Sequence, residues 1–239
     1  MKKRTLITGA SGEIGKAIAI QLANEGHSLV LHYHQNKHAI NEILEKIPSE
    51  QVIDIIQSNL ATPVGLDHFL ELLPSQLNHF IYTSGMTYYG LLQDMDDQTM
   101  DEMLHLHLKA PWKISQQLIP NMIQQHFGRM IFITSIWGEV GASCEAAYAS
   151  VKGGQQAYIK SLAKELGPSH IYVNGVSPGF IDTKMNAALT LEEKAELIED
   201  IPLQRAGTPM DVAGAVQFLC SDRAAYIQGE VIRVNGAWL

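Results

Sequence analysis

The sequence predicts an α/β fold, in which one doubly wound parallel sheet of about seven strands carries helices on both faces. Short apolar runs alternate with longer segments of helical periodicity along the whole chain, and this alternation is typical of right-handed β-α-β units. Several runs, such as MIFIT at 130–134, have the composition of strands buried on both faces. The predicted strands are Thr5–Thr8, Leu29–Tyr33, Val52–Gln57, His79–Thr83, Met130–Thr134, Tyr172–Val176 and Val231–Val234.

The segments between the strands predict helices, for example IGKAIAIQLANEG and ATPVGLDHFLELL. No linker or repeat divides the chain, so we expect a single domain over residues 1–239. Its cofactor half is expected at about 1–125, and its catalytic and substrate half at about 126–239. The region 184–200 contains the amphipathic, charged sequence LTLEEKAELIED. This region is expected either to close over the substrate as a lid or to form an exposed surface helix.

The composition excludes several classes of function. A net charge of −8 disfavours binding to nucleic acid or to an anionic membrane surface, because both would repel the protein. The two cysteines, Cys144 and Cys220, have no metal-ligand spacing, so we expect no metal and two reduced thiols in a cytoplasmic protein. The apolar run after MKKR is too short for a signal peptide, and no stretch approaches the ~20 apolar residues of a membrane span.

A glycine-rich turn follows the first predicted strand and opens the first predicted helix. Gly9, Gly12 and Gly15 lie in this turn, with Ser11 and Ile14 between them. Free backbone N–H groups at the start of a helix bind the pyrophosphate of a dinucleotide. The position of the turn in the first β-α-β unit therefore predicts a Rossmann-type dinucleotide site.

A second group of polar residues suits proton transfer. Tyr148 and Lys152 are four residues apart, so they share one face of a helix. A nearby ammonium favours the phenolate and is expected to lower the tyrosine pKa from about 10. Ser135, thirteen residues before Tyr148, could hold a carbonyl oxygen while the tyrosine protonates it.

These motifs resemble those of the short-chain dehydrogenases/reductases over essentially the whole chain. Thr8, Gly9 and Gly15 match the family's glycine-rich turn, and Ser135, Tyr148 and Lys152 match its catalytic residues in order and spacing. The resemblance implies that Lys152 also holds the nicotinamide ribose. The residues expected to bind the cofactor, from the resemblance and from the turns described here, are Gly9, Ser11, Gly12, Ile14, Gly15, Tyr33, His34, Asn59, Leu60, Ser84, Gly85, Tyr148, Lys152, Pro178, Gly179, Ile181 and Thr183.

Three residues depart from the family pattern. Glu13 stands where the middle glycine is usual, and its carboxylate would repel a pyrophosphate unless it points away. Thr83 stands in a segment, Tyr-Thr-Ser-Gly, that is usually Asn-Asn-Ala-Gly. His107 aligns with an asparagine that completes a proton relay in much of the family. Because a histidine pKa lies near neutrality, His107 is a candidate catalytic residue; a packed interior histidine is the alternative.

The end of the second strand bears on the choice of nucleotide. Tyr33 occupies the position where NAD-binding proteins usually place an acid, and no carboxylate follows to repel a 2′-phosphate. His34, Gln35, Asn36 and Lys37 could each bond such a phosphate. We therefore expect NADP(H) rather than NAD(H), and with it a reductive direction.

The substrate is left open between two resemblances. VNGVSPGFIDTKM and RVNGAW resemble 3-oxoacyl-acyl-carrier-protein reductases, and Arg129 matches a position that docks the acidic carrier protein there. SIWGEVGASCE resembles a narrower branch that reduces the 5-aminopentanone group of modified elongation factor P; Glu139 could pair with the ammonium of such a substrate. A dinucleotide-binding sensor without turnover is a third possibility. In each case the family resemblance implies a homotetramer or dimer.

Overall fold

The structure is a computed structural model that describes residues 2–186 and 189–239. It confirms the predicted fold class, because seven parallel strands form one sheet in the order β3-β2-β1-β4-β5-β6-β7. Every predicted strand is present, with ends that differ by at most two residues. The strands are β1 Arg4–Thr8, β2 Ser28–Tyr33, β3 Val52–Gln57, β4 His79–Tyr82, β5 Gly128–Ile133, β6 Ile171–Pro178 and β7 Val231–Val234.

Helices cover both faces of this sheet. They are α1 Glu13–Asn24, α2 Lys37–Leu44, α3 Pro63–Leu72, α4 Asp97–Leu104, α5 Ala110–Gln125, α6 Trp137–Val140, α7 Ala146–Leu166, α8 Leu191–Asp200 and α9 Pro209–Leu219. One apolar core contains residues of α1, α2 and α9, and the other contains residues of α3, α5 and α7. A π-helical turn, His105–Lys109, joins α4 to α5.

The two cores follow from the alternation of side chains along each strand. Leu6 belongs to one core and Ile7 to the other; Phe80 and Ile81 divide in the same way. All four side chains are completely buried. A parallel strand needs apolar residues at every position for this reason, which explains the continuous apolar runs in the sequence.

The topology places the functional cleft. β1 is flanked by β2 on one side and by β4 on the other, so the order of the strands reverses at this point. In doubly wound sheets, the loops at the carboxyl ends of the strands separate at such a reversal and leave a crevice there. The glycine-rich turn after β1 and the loop after β4 therefore border one crevice.

The predicted lid consists of two described pieces. A 3-10 turn spans Lys184–Asn186, and α8 spans Leu191–Asp200 with a capping box between Thr190 and Glu193. Residues 187 and 188 of the predicted lid lie outside the described residues. No helix in the described ranges has both the length and the apolar character that crossing a bilayer requires.

Four histidines are buried in the sheet and its flanking helices. Burial is the main cause that lowers the pKa of His27 to about 3, of His32 to about 4 and of His107 to about 3. Burial also holds the pKa of His79 well below its usual value. Between these low values and pH 6.5, the unfolded chain binds protons that the native state does not. Stability therefore falls as the pH falls through this window.

We expect the free energy of unfolding to decrease below pH 6.5 by up to about 1.4 kcal/mol per pH unit for each of these histidines. Urea unfolding at pH 7.0, 6.0 and 5.0 measures this slope. His27→Gln should flatten the slope, whereas His68→Gln at an exposed position should leave it unchanged. A free energy of unfolding that stays constant from pH 7 to pH 5 would contradict the burial of neutral histidines.

Candidate active site

The glycine-rich turn needs its glycines for close backbone contacts. Gly9 has a φ of +66°, and a Cβ added there would lie 2.9 Å from the backbone of Ser84. A Cβ added at Gly15 would lie 2.3 Å from the carbonyl oxygen of Gly9. Gly12 is the N-cap of α1 and provides no side-chain cap. The first N–H groups of α1 therefore have no side-chain acceptor at the cap and suit an anionic ligand.

Two side chains brace this turn from the neighbouring strands. Thr83 Oγ1 donates a 2.6 Å hydrogen bond to the carbonyl of Thr8, so the unusual threonine ties the end of β4 to the end of β1. His32 Nδ1 accepts from the Gly9 N–H at 3.1 Å, and His32 Nε2 donates to the Ser58 carbonyl at 3.1 Å. His32 was not a predicted site residue, because a histidine inside an apolar strand gives no signal of its direction.

The turn forms one wall of a cleft of about 870 Å³. This volume lies within the range of ordinary cofactor sites. Eleven of the predicted cofactor residues line it: Gly9, Ser11, Gly12, Ile14, Gly15, His34, Asn59, Leu60, Ser84, Gly85 and Thr183. The uncapped start of α1 and this lining fit a dinucleotide with its pyrophosphate at the turn. The other predicted cofactor residues lie outside the lining: Tyr33, Tyr148, Lys152, Pro178, Gly179 and Ile181.

The Tyr33 side chain points into the core and not into the cleft, contrary to the expectation that Tyr33 binds the cofactor. The Tyr33 ring is buried in the core, 4% exposed, and its hydroxyl donates to Gln57 Oε1 at 3.1 Å. Side chains on a strand alternate between its two faces, so the choice of one residue along β2 decides which side chain reaches the cleft. His32 and His34 line the cleft instead.

The end of the second strand carries no carboxylate, but one from another element borders the cleft beside it. Glu42 of α2 lines the cleft, together with Lys16 of α1 and His38. Lys16 Nζ lies 2.7 Å from Glu42 Oε2, and His38 Nε2 lies 3.3 Å from the other oxygen. The hydrogen bond from Lys16 lowers the pKa of the Glu42 carboxyl. The acid comes from the helix after β2, which a search confined to the strand end misses.

Ser135, Tyr148 and Lys152 come together outside the lining of this cleft. Ser135 follows β5, and its hydroxyl lies beside the Tyr148 side chain, whose pKa it lowers. Lys152 Nζ donates to the carbonyl of Ile133, the last residue of β5, at 2.9 Å and lies 5.6 Å from the centre of the Tyr148 ring. The close approach of α6 to α7 depends on Gly138, where an added Cβ would lie 2.7 Å from the backbone of α7.

The electrostatics of this triad differ from the expectation that Lys152 lowers the tyrosine pKa. Burial raises the pKa of Tyr148 to about 12, and the neighbouring Ser135 hydroxyl only partly offsets this. Burial lowers the pKa of Lys152 to about 7. The low value follows because the 4% exposed ammonium has a neutral carbonyl, not a carboxylate, as its partner. In this structure the lysine therefore titrates near neutral pH.

His107 lies in the π-helical turn before α5 and is completely buried. Its Nε2 is 2.9 Å from the Met86 carbonyl, and its ring meets the Tyr148 ring edge-on at 5.8 Å. Pro111 has no N–H for the His107 carbonyl four residues earlier, and Gln155 Nε2 donates to that carbonyl at 2.8 Å instead. The pKa of about 3 contradicts the expectation of a histidine that titrates near neutrality.

Comparison with known proteins agrees with this geometry. Residues 9–237 match the sequence profile of the family described as enoyl-(acyl carrier protein) reductase. The chain is 37% identical over 240 residues to the 3-oxoacyl-[acyl-carrier-protein] reductase FabG of Staphylococcus aureus, covering 99% of this chain and 98% of the relative. The chain belongs to the short-chain dehydrogenase/reductase family.

Other relatives of this short-chain dehydrogenase/reductase are similar over their whole length. An uncharacterized oxidoreductase of Bacillus subtilis, YmfI, is 41% identical over 100% of this chain and 99% of its own. A crystal structure of a putative NAD(P)-dependent gluconate 5-dehydrogenase from Beutenbergia cavernae, with bound NADP at low occupancy, superimposes with a TM-score of 0.92 at 28% identity, covering 99% of this chain and 96% of the other.

Two residues expected to contact the substrate side of this dehydrogenase/reductase have other partners. Arg129 is 2% exposed, stacks 4.6 Å from the Tyr172 ring and donates to the Leu219 carbonyl. A carrier protein therefore cannot dock on Arg129. Glu139 forms an ion pair with Arg233, which reduces its attraction for a substrate ammonium.

The loop after β6 is fixed at both ends beside this site. The Gly179 N–H donates to the Val234 carbonyl at 3.0 Å, and an added Cβ at Gly179 would lie 2.8 Å from Asn235. Ile181 pairs with Gly207 in an isolated parallel bridge. The segment that reaches the cleft at Thr183 therefore starts from a fixed anchor.

We expect Gly15→Ala to destabilise this dehydrogenase/reductase by about 3 kcal/mol, because the new Cβ overlaps the Gly9 carbonyl. Gly214→Ala is the matched control on α9, where no atom of the described residues lies within 4 Å of an added Cβ. This change should stabilise by about 0.5–1 kcal/mol through helix propensity. Chemical denaturation of the two variants measures both effects. Equal stabilities for Gly15→Ala and the wild type would show that the turn relaxes.

Proposed function

We propose that this protein is an NADPH-dependent reductase that transfers hydride to a ketone and yields a secondary alcohol. A 3-oxoacyl thioester, free or attached to a carrier protein, is the proposed type of substrate. The observation that carries the proposal is the placement of the Ser135 and Tyr148 hydroxyls next to one another beside the buried Lys152. Two hydroxyl groups that already face one another can both donate to one carbonyl oxygen.

Each residue of the triad has a separate part in the proposed reaction. Ser135 and Tyr148 donate hydrogen bonds to the carbonyl oxygen and so polarise the C=O bond. The nicotinamide, when bound, supplies the hydride that reaches the carbonyl carbon. Tyr148 then gives its proton to the oxygen, which leaves a phenolate. Protonated Lys152 stabilises that phenolate, and its position near the end of β5 also suits a bond to the nicotinamide ribose.

His107 belongs to the proposed proton relay as a neutral imidazole. Its Nε2 is held by Met86, and its buried Nδ1 has no hydrogen-bond partner in the described ranges. An unpaired ring nitrogen next to Tyr148 can form a hydrogen bond without becoming charged. His107 thus takes the place of the usual asparagine as a neutral hydrogen-bonding group, and its low pKa keeps it neutral.

The preference for NADP(H) rests on the polar side chains at the outer end of the cleft. Lys16, His34, Asn36 and His38 can each donate to a 2′-phosphate. Such a phosphate would compete with Glu42 for Lys16, so the preference is proposed to come from Lys16 changing partner. The NADP in the Beutenbergia structure supports the same cofactor by analogy.

The remaining parts of the proposal concern the setting of the reaction. The Pro178–Thr183 loop is proposed to orient the nicotinamide. Residues 184–200 are proposed to cover the substrate. A dimer or tetramer is proposed through α4 and α5, where Leu104 and Trp112 are exposed. The free cysteines are consistent with a cytoplasmic enzyme.

A ketone on modified elongation factor P is not favoured, because Glu139 is paired with Arg233.

Steady-state kinetics with NADPH or NADH and an acetoacetyl thioester test this function. We expect turnover with NADPH, and Tyr148→Phe should lower kcat by about 10²–10⁴-fold, because the proton donor is lost. Tyr158→Phe, on the same helix but packed against Phe132, is the matched control and should keep its activity. Reduction of a crotonyl thioester alone would indicate an enoyl reductase. Tight NADPH binding with no reduction of any ketone would instead indicate a sensor.

A further inference from the structure

Glu13, the acid in the glycine-rich turn, is directed at the loop across the cleft. It is the first residue of α1, and its Oε2 accepts a 2.5 Å hydrogen bond from the backbone N–H of Lys184, 171 residues away. A carboxylate held by that N–H does not have to lie against the pyrophosphate. The contact therefore explains how the turn tolerates an acid where a glycine is usual.

The segment that Glu13 holds has its own internal structure. Ile181 is anchored by its bridge to Gly207. Asn186 Nδ2 donates to the Ile181 carbonyl at 2.7 Å, and the Asn186 N–H donates to the Thr183 carbonyl at 3.0 Å. The turn is thus folded without Glu13. These bonds lie within the segment, so they do not fix the position of the turn relative to the opposite wall of the cleft.

Glu13 supplies the connection across the cleft. Glu13, Thr183 and Lys184 all line this cleft. Within the part of the chain that the structure describes, the Glu13–Lys184 bond is the one hydrogen bond between residues 9–16 and residues 183–186. A ligand whose pyrophosphate lies on the turn and whose nicotinamide lies under Thr183 would be enclosed by this bond.

We propose that Glu13 is a positioning residue that holds the 183–186 turn across the cleft and slows the release of the dinucleotide. The inference deepens the proposed function and rests on it for the identity of the ligand. The proposal also predicts whether removal of the carboxylate speeds or slows the release of the dinucleotide. If the carboxylate acted mainly by repelling the phosphates, its removal would tighten binding and slow release. If it acts as a latch, its removal speeds release.

Three variants separate these two effects. Glu13→Ala removes both the charge and the acceptor. Glu13→Gln removes the charge but keeps a side-chain oxygen that can accept from Lys184. Glu71→Ala, in the last turn of α3, removes an exposed carboxylate that has no hydrogen bond within the described ranges and serves as the matched control.

Hydrogen exchange without any nucleotide gives the first readout. The Lys184 amide should exchange about 3–10-fold faster in Glu13→Ala than in the wild type, because it loses its acceptor. Glu13→Gln and Glu71→Ala should match the wild type at this amide. Equal exchange in Glu13→Ala and the wild type would overturn the latch. This measurement does not depend on the identity of the ligand.

Stopped-flow release of NADPH from the full-length protein gives the second readout. Release should be about 3–10-fold faster from Glu13→Ala and close to wild type from Glu13→Gln. Slower release from both variants would overturn the inference in favour of repulsion. A wild type that binds neither NADPH nor NADH would overturn the proposed function, while the exchange at Lys184 would still decide whether Glu13 holds the turn.

Discussion

The candidate active site depends on the burial of one lysine against a neutral backbone carbonyl. Lys152 reaches from α7 to the carbonyl of Ile133 at the end of β5, and no carboxylate of the described residues forms an ion pair with it. An ammonium in such surroundings loses hydration that one hydrogen bond does not replace, so its charged form is only marginally favoured at neutral pH. A negative charge that develops next to such a lysine, as on Tyr148, favours its protonated form.

The residues that depart from the family pattern are accommodated in a different way, because each of them forms a hydrogen bond with the backbone of a neighbouring segment. Thr83 bonds the carbonyl of Thr8, and Glu13 bonds the N–H of Lys184. His107 bonds Met86, while Gln155 satisfies the carbonyl that Pro111 leaves without a helical donor. Each departure from the family pattern therefore has a hydrogen-bond partner on the backbone.

The sequence was sufficient for the strands and the glycine-rich turn, because apolar periodicity and glycine spacing are local signals. Side-chain direction and charge were less predictable. Tyr33 and Arg129 are buried by packing from distant elements, and Glu42 arrives from a helix whose position the strand end does not reveal. The pKa directions of Tyr148 and Lys152 depend on desolvation by the surrounding fold, which helical spacing alone does not contain.

Direct titration of the Lys152 side chain tests the central claim of a lysine poised by burial. NMR of 13C-labelled lysine in the ligand-free protein, with Lys152→Met to assign the signal and exposed Lys160 on the same helix as a reference, follows its protonation. A midpoint at a pH of about 7 is the expected result. A midpoint near the ordinary lysine value of about 10.4 would show that the ammonium is not destabilised by its surroundings.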